Sequence, residues 1–175
     1  MQNIILTSEG YAVIPKGLDR IDRKILRHLQ SDGRLSNVEL ARQVGLSPTP
    51  CLERMRRLER DGYILGYSAR LDAEKLDAGM LVFVQVTLER TTPDIFDRFA
   101  DAVQRLEEVA ECHMVAGGYD YLLKVRVKDM AAFRRFLGEG LTALDSVRET
   151  HTYVVMEAVK DGREIPIPEE YNPPH

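Results

Sequence analysis

Four arginines, Arg54, Arg56, Arg57 and Arg60, fall within two helical turns, and the run Ser47-Pro48-Thr49-Pro50 lies just before them. Guanidinium groups pair with phosphate, and serine and threonine hydroxyls exchange hydrogen bonds with phosphates and base edges alike. Arg54 and Arg57 are therefore expected to meet a nucleic acid. Ser47, Thr49 and Pro50 are expected to approach the bases, with phosphate contact equally open to the hydroxyls and a thymine methyl open to the proline. Arg56 can instead lay its stem over apolar surface. A second set is Gly117-Gly118-Tyr119-Asp120, where backbone N–H groups and a carboxylate can hold a zwitterion. The plain alternative is a two-glycine hairpin with Asp120 in water. His113 and His151 have no partners that would complete a metal set, and Cys112 has no adjacent base. The chain has no phosphate-binding loop, no dinucleotide fingerprint and no nucleophile elbow. Neither an enzyme nor a cofactor or metal is expected.

The arginines need a rigid carrier, and the sequence supplies one. Ile21, Ile25, Leu26 and Leu29 recur at helical spacing from Leu18 to Gln30, with charges on the other face. Ser36 and Glu39 form a capping box, and Leu35 and Leu40 a hydrophobic staple, for a short helix from about Asn37 to Val44 that Gly45 stops. Ser47 then caps a third helix with Pro48 at its first position, running to about Asp61 with Leu52, Met55 and Leu58 as its buried stripe. Tyr63 to Leu71 carries β-forming residues around a glycine and is expected to form a small hairpin or wing. Three helices with so short a break before the third make a helix-turn-helix pattern. The bland counterpart is a small helical packing module.

Charge separates this region from the rest. The chain has 175 residues and a formal charge of −4, yet Leu18 to Arg70 carries 11 basic and 7 acidic residues. From Leu71 onward 12 basic residues face 20 acidic ones, so an acidic total conceals a basic third. Apolar residues make up 44% of the chain, enough for real cores, and no run is long enough to span a membrane. Two cysteines, Cys51 and Cys112, make no disulfide framework, which points to the cytoplasm.

The acidic part repeats itself at an offset of 38 residues, with Leu106, Val109, Glu111 and His113 recurring as Leu144, Val147, Glu149 and His151. Each copy reads strand, helix, strand: Met80 to Leu88, about Pro93 to Leu106, and Val109 to Val115, then Tyr119 to Val127, Met130 to about Leu144, and Val147 to Met156. This is the ferredoxin-like β-α-β-β-α-β order, giving an α+β chain. Gly138 and Gly140 weaken the second helix. Leu81, Phe83, Leu122, Tyr153 and Val155 make the sheet apolar on the face without helices, so a second copy is expected to cover it as a homodimer, which would also read a palindromic site.

The runs Leu18-Asp-Arg-Ile-Asp-Arg-Lys-Ile-Leu26, Ser36-Asn-Val-Glu-Leu-Ala41, Val44-Gly-Leu-Ser-Pro-Thr-Pro-Cys-Leu-Glu-Arg54, Glu111-Cys-His113 and Gly118-Tyr-Asp-Tyr-Leu-Leu-Lys124 resemble the feast/famine (Lrp/AsnC) family of transcription regulators, in one register from about Leu18 to Lys160. The resemblance implies a winged helix-turn-helix over 18–71, a linker over 72–79 and a ferredoxin-like sensing and oligomerisation domain over 80–160. It implies double-stranded DNA as partner, dimers assembling to octamers, association with the nucleoid when DNA-bound, and a small amino-acid effector with leucine first. It also implies an effector cleft at Gly117, Gly118, Tyr119 and Asp120, bordered by Thr152 and Tyr153. Leucine-sensing members carry an acidic residue and a phenylalanine where this chain has Gly118 and Tyr119, which opens the way to a different or broader response. The competing reading is an amino-acid-sensing module that acts through protein partners without specific DNA binding. The extension 1–17, with its apolar runs Ile4-Ile5-Leu6 and Tyr11-Ala12-Val13-Ile14, and the proline-rich tail 161–175 lie outside the resemblance. One apolar run is expected to add a strand to a neighbour; the tail is open between packing on a subunit, binding a partner and no role.

Overall fold

The computed structural model describes residues 4–7, 10–13, 17–144, 146–160, 162 and 164–168. Two units divide the chain, one drawing on Met1–Ala69 and Gly162–His175, the other on Arg70–Asp161.

In the first unit, β1 (Ile4–Thr7) and β2 (Gly10–Val13) pair antiparallel, with Ile4 opposite Val13. The two apolar runs, one of which is expected to add a strand to a neighbour, pair with each other. The helix α1 (Arg20–Ser31) starts at Asp19, whose carboxylate accepts from the Asp22 amide at 2.8 Å while Asp22 accepts from the Asp19 amide at 3.1 Å. This reciprocal cap satisfies two N–H groups the helix itself cannot pair. The expected Ser36–Glu39 box opens α2 (Asn37–Val44), and Gly45 ends it at φ 77°, a conformation that favours glycine. The Leu46 amide then reaches back to the Ala41 carbonyl at 2.8 Å, closing the turn into α3 (Pro48–Arg60).

Ile25, Leu40, Ala41, Cys51 and Leu58 are sealed from solvent between these helices. The buried stripe of α3 is thus centred on Cys51 and Leu58, with Leu52 and Met55 only partly covered. Tyr63 to Leu71 forms no strand. Its β-forming residues find no second strand to pair with, Leu65 stands 96% exposed, and the segment is tied down by the Tyr67 hydroxyl donating to Glu59 at 3.1 Å.

The second unit begins with a 3₁₀ turn at Glu74–Leu76. It continues with β3 (Met80–Leu88), α4 (Pro93–Val103), β4 (Val109–Met114), β5 (Tyr121–Val127), α5 (Met130–Arg135) and β6 (Val147–Val154). The sheet order is β4-β5-β3-β6, all neighbours antiparallel, which is the ferredoxin-like arrangement. Val82, Val84, Val86, Leu88, Tyr121, Leu123, Val125 and Val127 alternate onto one face and bury against Phe99, Val103, Phe133, Phe136 and Leu141. Each fully buried aliphatic side chain there stabilises the unit by about 2 kcal/mol.

The second helix stops early. After Arg135 the chain widens into a π-helical turn over Phe136–Leu141, which contains Gly138 and Gly140. Two glycines in six residues forfeit helix propensity, and the wider turn still buries Phe136 and Leu141.

The open sheet face is mixed rather than wholly apolar. Cross-strand register puts Glu111, Lys124, Phe83 and Tyr153 in one row and His113, Leu122, Gln85 and His151 in the next. Lys124 donates to Glu111 at 3.0 Å, and Lys124 and His113 together hold the Glu111 carboxyl below its ordinary range. No helix among the described residues is long and apolar enough to cross a membrane.

Candidate nucleic-acid interface and ligand cleft

The first turn of α3 is built to be open. Ser47 caps it by position only, since its hydroxyl makes no capping bond, and Ser47, Pro48 and Thr49 are exposed. Pro48 and Pro50 have no N–H, so Thr49 alone offers a main-chain donor among the first three helical positions. The turn therefore presents two hydroxyls and two pyrrolidine rings rather than a crown of amides. Asn37, at the start of α2, donates from Nδ2 to the Pro48 carbonyl at 2.8 Å and fixes the turn to the preceding helix. Its Oδ1 is buried without a partner, a cost of about 1–3 kcal/mol set against that anchoring.

Arg54 and Arg57 point elsewhere than a free surface. Arg54 Nη1 contacts Asp19 Oδ2 at 2.5 Å and Asp22 Oδ1 at 2.8 Å, and Arg57 Nη2 pairs with Asp22 Oδ2. The Asp22 side chain is 1% exposed, against 27% and 23% for the two arginines. The carboxylates of the α1 cap thus clamp α3 across the bundle. Hydrogen bonds to Asp19, then Asp22, raise the Arg54 pKa above its ordinary value. Burial alone would push the Asp19 carboxyl up, but the Asp22 amide and the Arg54 guanidinium outweigh it and hold it below the usual 3.8. Arg56 and Arg60 lie exposed on the outer side of α3, Arg60 beside Asp61 at 3.6 Å. Sequence reasoning passed over Asp19 and Asp22. Their spacing, three residues apart before an apolar run, was the available signal for the cap; the ion pairs, 32 and 35 residues distant, had none.

The second site is a cleft of about 290 Å³ at one end of the sheet, lined by the β4–β5 turn, the end of β3 and the start of β6. It brings Gly117, Gly118, Tyr119 and Asp120 together, as expected, with Glu89, Arg90 and Arg148, which sequence reasoning missed. Thr152 and Tyr153 do not line it: Thr152 pairs with Val84 and Tyr153 with Phe83, farther along β6. Asp120 is partly committed, because one carboxylate oxygen accepts from the Leu88 amide at 2.8 Å and its own amide donates to the Val86 carbonyl at 3.0 Å. Gly117 and Gly118 have no positive φ, and a Cβ on either would meet nothing within 4 Å. Neither the turn nor the packing calls for glycine there, so the plain hairpin reading leaves them unexplained. What they do is leave the main chain bare toward the cleft. The only aliphatic lining residue, Leu88, is 2% exposed and turned into the core. The walls are thus polar, with two guanidinium groups, two carboxylates and accessible backbone, a set that fits both ends of an amino acid.

The two cysteines are sheltered. Burial pushes both the Cys51 and the Cys112 thiol up, away from the reactive thiolate. His113 and His151 sit on β4 and β6, the two edges of the sheet, each beside the glutamate two residues earlier at 3.2 Å and 3.7 Å.

Comparison with known proteins bears on both sites. Residues 18–64 match a family model described as winged helix-turn-helix DNA-binding, and residues 81–165 one described as Lrp/AsnC ligand binding domain. The leucine-responsive regulatory proteins of Klebsiella pneumoniae and Escherichia coli (strain K12) are each 61% identical over 152 residues, covering 87% of this chain and 93% of the relative. Among solved structures, a Neisseria meningitidis transcriptional regulator in complex with L-methionine is similar at 37% identity and a TM-score of 0.83, over 86% of this chain and 97% of that one.

Proposed function

We propose that this chain, which belongs to the Lrp/AsnC family of transcriptional regulators, reads DNA through the first turn of α3 and binds leucine or a related amino acid in the cleft at Gly117–Asp120. A DNA-binding regulator responsive to an amino acid is what the family and fold support. Ser47, Thr49 and Pro50 are assigned to bases and phosphates of the major groove, and Arg54 and Arg57, beyond their pairing with Asp19 and Asp22, to phosphate. Gly117, Gly118, Tyr119 and Asp120 are assigned to the effector. Thr152 and Tyr153 are assigned to its border only in an assembly that brings a neighbouring subunit's cleft to β6. Dimers are proposed to form over Leu81, Phe83 and Leu122 on the open sheet face and to assemble to octamers.

The observation that carries the effector reading is the pair of glycines that neither backbone strain nor packing requires, facing a cleft lined by charge of both signs. Leucine leads because the relatives at 61% identity are named for it. The complex of the Neisseria regulator with L-methionine keeps methionine in the panel. Sedimentation velocity with a promoter fragment and an amino-acid panel tests the reading. The expected result is a shift in assembly and in DNA affinity with leucine or a close relative. Saturating amino acid with no change in either rejects the sensor, and equal affinity for promoter and scrambled DNA favours the protein-interaction module.

A further inference from the structure

The outer row of α1 consists of Arg27, Gln30 and Ser31, three and four residues apart and hence on one face. It holds the segment Glu164–Pro168, which follows the whole second unit in sequence. Gln30 grips Ile165 from both sides, its Nε2 donating to the Ile165 carbonyl at 3.0 Å and its Oε1 accepting from the Ile165 amide at 3.0 Å. Arg27 Nη2 donates to the Ile167 carbonyl at 2.9 Å, and Ser31 Oγ to Glu164 Oε1 at 3.3 Å. The segment therefore runs antiparallel to the helix.

Three of these four bonds are to main chain, and Ile165 remains 71% exposed, so apolar burial does little of the holding. Pro166 and Pro168 fix φ on either side of Ile167 and keep the segment extended before it docks, which lowers the entropy lost on docking. A side-chain amide that satisfies both backbone groups of one residue imitates a neighbouring β-strand.

We propose that this row of α1 is a docking surface for an extended main chain and that its occupant is the chain's own segment Glu164–Pro168, strapping the DNA-reading unit to the ligand-binding unit. The chain crosses between the units at Ala69–Arg70 and again at Asp161–Gly162, so a docked segment adds a hydrogen-bonded attachment of the α1–α3 bundle to its covalent one. The second attachment follows β6 by seven residues, and the start of that strand borders the cleft, so ligand binding there is felt by the bundle along β6 and through the strap. That last step rests on the amino-acid sensor proposed above; the docking itself does not.

Hydrogen exchange on the full-length protein tests the docking. The Ile165 amide is expected to exchange at least about tenfold more slowly than in a free peptide spanning Gly162–His175, and Gln30→Ala to return it to the peptide rate. Alanine keeps helix propensity, so α1 itself should be unharmed. In promoter-binding titrations, Gln30→Ala should abolish most of the ligand-induced change in DNA affinity while ligand affinity and ligand-free DNA affinity stay within about twofold. In the same titrations Ile165→Pro, which removes the same donor from the other side, should reproduce the effect of Gln30→Ala and add nothing to it when the two are combined. Peptide-like exchange of Ile165 in the unaltered protein overturns the docking. Protection that disappears on dilution assigns the occupant to a neighbouring subunit and overturns the strap. A full ligand-induced change in Gln30→Ala overturns the coupling. A protein whose DNA affinity ignores every amino acid overturns the sensor, with the docking still decided by the exchange data.

Discussion

Arg54 and Arg57 in the first unit and Arg90 and Arg148 in the second are the same side chain in opposite circumstances. The first pair stands on an arginine-rich helix where a phosphate contact is the natural expectation, yet both reach a carboxylate pair at the α1 cap, one of whose members is buried. The second pair sits in ordinary loop and strand contexts, is marked by nothing in the sequence, and lines an open cleft with no carboxylate bound to either among the described residues. A cluster of cations in sequence therefore measures local charge, not availability. Availability is decided by which carboxylates the fold brings within reach, and in the helical bundle those are Asp19 and Asp22.

Removing Asp22 should break that contrast most severely. Asp22→Ala strips the buried acceptor from two guanidinium groups and half of the α1 capping box, and should cost about 3–4 kcal/mol in urea denaturation of the first unit. Arg57→Ala should cost less, about 1–2 kcal/mol, because Arg54 still faces Asp22 and the lost guanidinium is part-exposed. If its outer edge also meets phosphate, the slope of log affinity against log salt should fall by about 0.9. We expect both effects; a slope identical to that of the unaltered protein would confine Arg57 to holding α1. Arg56→Ala, on the exposed side, should leave stability within about 0.5 kcal/mol.

In the cleft the comparison turns on binding. Arg148→Gln should weaken the amino acid's affinity about tenfold by calorimetry, a loss of about 1.4 kcal/mol, and the amide analogue that lacks the carboxylate should bind the variant and the parent alike. Gly118→Asp should be the mildest change to the fold, within about 0.5 kcal/mol of the parent in thermal unfolding, since a side chain there meets nothing.

Acid should loosen the helical bundle as well. Asp19 and Glu39 are both held below their ordinary values of 3.8 and 4.5, Asp19 against burial and Glu39 by the Ser36 hydroxyl and amide. In each case the unfolded chain binds the proton first, so the stabilisation is complete above those values and is lost as pH falls below them. Circular dichroism from pH 6 to about pH 2 should therefore record the helical bundle loosening below about pH 4.

Legibility tracked distance along the chain. The Ser36–Glu39 box, the Gly45 stop, the proline-led α3 and the two βαβ copies are all decided by neighbours within a turn or a strand, and the structure contains them. The glycines of 138 and 140 announced a weak helix but not that a π-helical turn would absorb the weakness, since that depends on Phe136 and Leu141 keeping their places in the core. Tyr63–Leu71 carries strand propensity but forms no hairpin, because propensity says nothing about a partner strand. The turn at Gly117–Asp120 was legible as a place, whereas Glu89, Arg90 and Arg148 arrive there from other strands. The Asp22 clamp, the mixed open face and the docked tail join residues far apart in sequence, and no local pattern encodes such meetings.

The docked segment also sets an order of events during synthesis. Ile165 trails Gln30 by 135 residues, and the entire β3-to-β6 sheet lies between them. At a translation rate of about 5–20 residues per second, α1 emerges on the order of ten seconds before the segment that will lie on it. The three-helix bundle must therefore hold itself together on its own core and the Asp22 clamp in that interval. Only after the sheet has been made does the returning chain arrive, so the finished bundle is assembled last although it is begun first.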